Sequence, residues 1–190
     1  MTNGRVNQKL RTRNEILRAA TDLIRTGRDV TMPEIAKAAL VSEATAYRHF
    51  PDLPSLLAES LANQTSATAF ADAFGSGDPV ERVATATERL LRHVLTYQGA
   101  VRAMIAATIT RPATVRNRPG LRFGLIDEAL APLAGTLDPA ALAQLKNDLA
   151  VVVSAEALFS LTDLCGLTPD AAVASAVHTA TTLTRAALPN

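Results

Sequence analysis

The chain has 190 residues, 48% of them hydrophobic and 4% aromatic, with a formal net charge of +1. That apolar content is enough for one or two cored domains and argues against a disordered chain. Cys165 is the single cysteine, so no disulfide can form within the chain, and a reducing cytoplasm is the expected setting.

The charge is unevenly spread. Residues 1–52 hold nine Lys and Arg against six Asp and Glu, while the remainder holds ten against twelve. The basic end suits contact with a polyanion. The start of the chain is polar, without an apolar signal region. The longest apolar run, Leu149 to Leu161, is interrupted by Ser154 and Glu156 and is too short to span a bilayer, so no membrane role is expected.

In chain order, residues 1–11 are polar and carry Arg5, Lys9 and Arg11. They read as a tail that is disordered in free protein, or as a basic arm that orders along DNA phosphates or in a minor groove. A first helix is expected from about Arg13 to Thr26. Thr12 and Glu15 have capping-box spacing, Ile16, Ala19, Ala20, Leu23 and Ile24 form one stripe, and Gly27 stops the helix.

Thr31 to Phe50 is the most informative stretch. Thr31 and Glu34 again have capping-box spacing, and Pro33 is tolerated in a first turn. Ile35 and Ala36 face inward. The chain turns at Leu40-Val41-Ser42, with Val41 as an apolar plug and Ser42 as N-cap of a short helix, Glu43 to Phe50. Ala46 and Phe50 face the core. Glu43, Ala44, Thr45, Tyr47, Arg48 and His49 occupy the other side. Insertion into a major groove explains such a face, because the second helix of a helix-turn-helix reaches base edges. Arg48 can pair with guanine or with phosphate; Thr45, Tyr47 and His49 can donate to phosphate oxygens.

This stretch resembles the N-terminal domain of the TetR family of bacterial transcription regulators. The similarity begins at Arg13-Asn14-Glu15-Ile16-Leu17-Arg18-Ala19-Ala20 and runs through Leu23-Ile24, Gly27, Thr31, Glu34-Ile35-Ala36, Val41-Ser42, Thr45, Tyr47, Arg48-His49-Phe50 and Leu56. It covers roughly the first third of the chain. It implies an all-α fold: an N-terminal three-helix helix-turn-helix domain, residues 1–52, and a C-terminal helical bundle for ligand binding and dimerisation, residues 53–190, about nine helices in all. It also implies DNA contacts at Thr31, Ser42, Glu43, Ala44, Thr45, Tyr47, Arg48 and His49. Two positions depart from the family pattern. Leu40 stands where Gly is usual in the turn, and a left-handed backbone there costs a Leu about 1–2 kcal/mol. Leu53, followed by Pro54, stands where a phosphate-binding Lys is common.

Beyond the resemblance, Asp52 is expected to cap a fourth helix from Leu53 to Phe70 or beyond. Gly75 to Pro79 is a break. A fifth helix spans Pro79 to Tyr97. Gly99 separates it from a sixth, carrying Val101, Met104, Ile105, Thr108 and Ile109. Arg111 to Gly120 reads as a loop, and a seventh helix ends near Gly135. Asp138-Pro139 starts an eighth helix running to about Leu164, and Thr168-Pro169 a ninth running to about Leu188. The apolar eighth helix and the small residues Ala172, Ala176, Ala180, Thr181 and Thr184 of the ninth suit a homodimer through the last two helices.

No enzyme is expected. His49, His93 and His178 lie in separate helices without metal-ligand spacing, and neither a phosphate-cradling Gly-rich loop nor a paired-Cys motif is present, so neither metal nor cofactor is expected. His93 reads either as a pocket residue beside Tyr97 or as an outer-face residue beside Arg89 and Arg92. Candidate pocket liners are Phe70, Phe74, Leu91, Tyr97, Met104, Thr108, Phe123 and Phe159, which suit a small, largely apolar effector. The sequence therefore reads as a repressor that leaves double-stranded operator DNA when it binds that effector. The alternative is a helical small-molecule carrier with no DNA role.

Overall fold

The computed structural model describes residues 3–62, 74–75, 77–110 and 121–189. Among them the chain is all-α, with ten α-helices and no strand. It divides into two compact units, one holding residues 3–62 and 96–110, the other 74–75, 77–95 and 121–189.

The first unit opens with α1, Asn3–Ile24. This helix starts ten residues before the expected Arg13, so Thr12 lies inside it, and the expected tail is helical from residue 3. The physical reason is propagation. Gln8, Lys9, Leu10 and Arg11 lose little rotamer freedom in a helix, and no proline interrupts them. Val6 and Leu10 are each 53% exposed, so burial does not hold this turn. Ile16, Ala20 and Ile24, four residues apart, are fully buried and anchor the rest. Gly27, at φ +72°, closes the end, its N–H donating to the Ile24 carbonyl.

Helices α2 (Met32–Ala38), α3 (Glu43–His49) and α4 (Leu53–Ala62) follow. The expected continuation of α4 to Phe70 falls outside the described residues. Asp52 caps α4 as expected, accepting from the Ser55 N–H at 2.8 Å. Helix α1 packs on α2 and α4, and α2 on α3. Ile35, Ala46, Phe50, Leu56 and Leu57 meet Ile16, Ala20 and Ile24 in one core.

Helix α6, Gln98–Thr110, packs on α4 and adds Ala100 and Met104 to that core. Gly99 lies inside its first turn and is not the separator that the sequence suggested. Its function there is close approach: a Cβ at Gly99 would stand 2.5 Å from the Arg28 carbonyl oxygen.

In the second unit, α5 (Pro79–Thr96, through Leu95) buries Val80, Val83, Leu90, Leu91 and Val94. Helix α7, Leu121–Ala129, is followed by a 3-10 turn, Ala131–Leu133. The expected loop at 111–120 lies outside the described residues. The eighth helix is not continuous to Leu164. Helix α8 spans Pro139–Val152, and Ser154 caps a separate five-residue α9, Ala155–Phe159, which passes into a π-helical turn, Ser160–Leu164. Ser154 takes both roles a serine can at a break: its Oγ accepts from the Ala157 N–H and donates to the Val151 carbonyl. Helix α10, Pro169–Ala187, is capped by Thr168 as expected. Its small face, Ala172, Ala176, Ala180, Thr181 and Thr184, is buried within this unit, where α10 packs on α8 and α9.

Candidate nucleic-acid interface

Helix α2 is fixed at both ends by local chemistry. At its start Thr31 and Glu34 form the full capping box: the hydroxyl accepts from the Glu34 N–H, and the Glu34 carboxylate accepts from the Thr31 N–H at 2.9 Å. Arg28 pairs with the same carboxylate at 3.1 Å. The Thr31 hydroxyl and N–H, with Arg28, hold Glu34 below the usual carboxylate range. At its end the Val41 N–H reaches the Ala36 carbonyl and the Leu40 N–H reaches Lys37, the paired bonds of a Schellman motif. That motif requires a left-handed residue, and Leu40 supplies it at φ 56°. The turn therefore keeps its geometry without the usual glycine. Val41, half-buried, packs on the same core as Ala36, as an apolar plug should.

Helix α3 begins at the Ser42 cap, whose Oγ accepts from the Thr45 N–H at 3.2 Å and meets the Thr45 hydroxyl at 2.9 Å. Ala46 is fully buried and Phe50 nearly so. The opposite face is open. Ser42, Glu43, Ala44, Tyr47 and Arg48 are exposed, with Tyr47 49% accessible; Thr45 and His49 are half-buried. Thr31 is exposed at the start of α2. The eight residues expected to meet DNA thus share two adjacent helices of one unit. Arg48 lays its Nε on the Ala44 carbonyl at 3.2 Å, and its terminal nitrogens make no bond among the described residues. Tyr47 also edges a cleft of about 490 Å³, with Pro51 to Pro54 on one side and Ala103, Ala106, Ala107 and Thr110 on the other.

Sequence reasoning missed Arg13 as more than a charge. Its guanidinium donates to the His49 carbonyl at 2.8 Å, pairs with Glu59 of α4, and lies 4.2 Å from the Phe50 ring centroid. No local pattern announces contacts spanning 36 and 46 residues of chain. Burial, then the positive charges of Lys9, Arg13 and Arg48, push the His49 imidazole below its usual pKa. Lys9, on the unexpected N-terminal part of α1, thereby adds to the positive field at the end of α3.

The candidate pocket residues are divided between the units. Tyr97, Met104 and Thr108 belong to the first; Tyr97 and Met104 pack on the core under α1–α4, and the Thr108 hydroxyl donates to the Met104 carbonyl. Leu91 and Phe159 are buried in the second, Phe74 lies under the Arg82 guanidinium, and Phe123 is 49% exposed. Phe70 lies outside the described residues. His93 is half-buried, and burial pushes its imidazole below the usual value.

Residues 16–59 match the sequence model of bacterial regulatory proteins of the tetR family. Over those residues the chain is similar to the helix-turn-helix region of TetR-family regulators. The whole fold is TetR-like. A crystal structure of a TetR transcriptional regulator from Rhodococcus sp. RHA1 superposes with a TM-score of 0.57 at 24% identity, covering 92% of this chain and 96% of that one. Among curated proteins, none matches this sequence. Among the described residues no group of three or more His, Cys, Asp and Glu side chains could hold a metal ion, and no helix is long and apolar enough to cross a membrane.

Proposed function

We propose that the chain is a homodimeric repressor that inserts α3 into the major groove and is released from its operator by a small, largely apolar ligand. The observation that carries the reading is the two-sidedness of α3. Ala46 is fully buried while Tyr47 and Arg48 project from the opposite side, and the Arg48 terminal nitrogens make no bond among the described residues. In this reading Arg48 reads base edges or grips phosphate. Thr31, Ser42, Glu43, Ala44, Thr45, Tyr47 and His49 complete the contact surface.

The dimer uses the exposed apolar residues that remain on the last helices, Val151 at 72% and Leu164 at 83% accessibility, because the small face of α10 is already covered within the protomer. Two such units must present α3 about 34–36 Å apart, or a multiple of it, to enter successive grooves on one side of a duplex. A ligand that prefers a dimer of different spacing lowers DNA affinity by its differential affinity, and a coupling of about 1–3 kcal/mol suffices.

Selection of genomic fragments by the purified protein tests this. The expected result is a two-fold-symmetric site bound with affinity that falls linearly in log salt. Arg48→Ala should cost about 1–3 kcal/mol and relax base preference, while Tyr47→Phe should weaken binding alike across sequences. A carrier of apolar molecules would enrich no site and show no salt-dependent shift, and operator affinity untouched by both substitutions would refute the docking.

A further inference from the structure

We infer that Arg13 is the positioning residue of the reading helix: its guanidinium fixes the C-terminal end of α3 to α4, and so sets the angle at which α3 is offered to DNA. The inference rests on the DNA-binding reading above. Helix α3 has seven residues, too few to hold a conformation or a direction alone. Ser42 fixes its first turn. Its last turn needs a partner for carbonyls that have no helical donor. Arg13 supplies one to the His49 carbonyl, and a second nitrogen of the same plane holds Glu59 on α4. The face of that plane lies against Phe50, which ends α3 and is 2% exposed. Two in-plane bonds and one stacked ring determine the guanidinium's position in three directions, and through it the relation of α3 to α4.

A lysine cannot reproduce this. Its ammonium is a point charge that can pair with Glu59 but does not combine a planar fork with a stacked face. The Arg13 and Glu59 side chains are about a third exposed, at 33% and 38%. An ion pair so exposed contributes little to overall stability. Loss of the fork should therefore leave a folded protein whose reading helix is poorly aimed.

The test compares wild type, Arg13→Lys, Glu59→Gln and the double variant on the selected operator across a salt series. Arg18→Lys, an exposed change elsewhere on α1, is the control. Arg13→Lys should lower operator affinity about tenfold, with the slope against log salt unchanged, as a lost phosphate contact would instead reduce that slope by about one. Glu59→Gln should lose affinity in the same direction, and the double variant should fall short of the product of the two losses, as expected of one shared contact. Thermal midpoints should stay near that of wild type. Amide resonances of residues 47–50 in the free protein should move in Arg13→Lys and not in Arg18→Lys. Wild-type affinity in Arg13→Lys, or a loss with reduced slope, overturns the inference, as do unmoved amides. Displaced amides in a protein that binds no DNA would keep the clamp as a structural feature and overturn its positioning role together with the reading on which it rests.

Discussion

Among the described residues, Leu40 is the one non-glycine position with a left-handed backbone. It sits at φ 56° with its side chain 94% exposed, so nothing packs against it to offset the left-handed conformation. The conformation persists because the two bonds of the α2 terminus and the burial of Val41 require it. Leu40→Gly should relieve about 1–2 kcal/mol of strain and give back about 0.4–1 kcal/mol in unfolded-chain entropy. The net gain, about 0.5–1 kcal/mol, should raise the thermal midpoint by a few degrees, at about 2–4 °C per kcal/mol for a chain of this size. A melting curve checks it; a lowered midpoint would mean that the Leu40 side chain makes a contact. At this scale caps were the most legible feature. Thr31, Ser42, Asp52, Asp138 and Thr168 all cap as their spacing implied, because a cap is a bond between residues two or three apart. Arg13 was not legible, because its partners are set by how α1, α3 and α4 pack.

Among the elements, the starts marked by Thr31, Ser42, Asp52, Asp138 and Thr168 came out as the sequence suggested, whereas the capping-box spacing of Thr12 and Glu15 fell inside α1 and marked no end. Ends determined by propagation or by tertiary contact did not. Helix α1 ran on into a polar segment that forms helix readily and buries little. Helix α8 stopped where a serine could begin another helix, although apolar periodicity continued past it. Gly99 has the opposite lesson. A glycine reads as a break, yet here it lets the first turn of α6 lie against the Arg28–Asp29 backbone. Alanine ordinarily favours a helix over glycine by about 1 kcal/mol. At Gly99 the added carbon would meet backbone at 2.5 Å, and backbone does not yield as a flexible side-chain end does. Gly99→Ala should therefore destabilise the protein by about 1–3 kcal/mol, as overpacking does, in a urea titration. An increase in stability would show that the α6 contact on the 28–29 loop is loose.

At the scale of the whole molecule, stability should depend on pH through two histidines. Burial holds His93 below the ordinary imidazole value of 6.5, and burial with three neighbouring cations does the same for His49. Below 6.5 the unfolded chain takes up these protons before the folded one. Folding stability is then full above that value and declines as pH falls toward the lowered folded values. Thermal midpoints should fall between pH 7 and pH 5, and His93→Gln should flatten that fall; an unchanged pH profile would remove His93 as a cause. Fold class was readable throughout, since helical periodicity with few breaks left no room for strands. The grouping of α6 with α1–α4 was not, because it depends on Ala100 and Met104 meeting a core some forty residues and more away in sequence.

In the proposed function α3 meets DNA twice, once from each member of a symmetric pair. Footprinting of the selected operator, with wild type and Arg48→Ala side by side, measures that most directly. Two protected major-groove segments centred about 34–36 Å apart, or a multiple of it, and both weakened by the substitution, are the expected result. A single unsymmetrical footprint, or protection indifferent to Arg48, would contradict it.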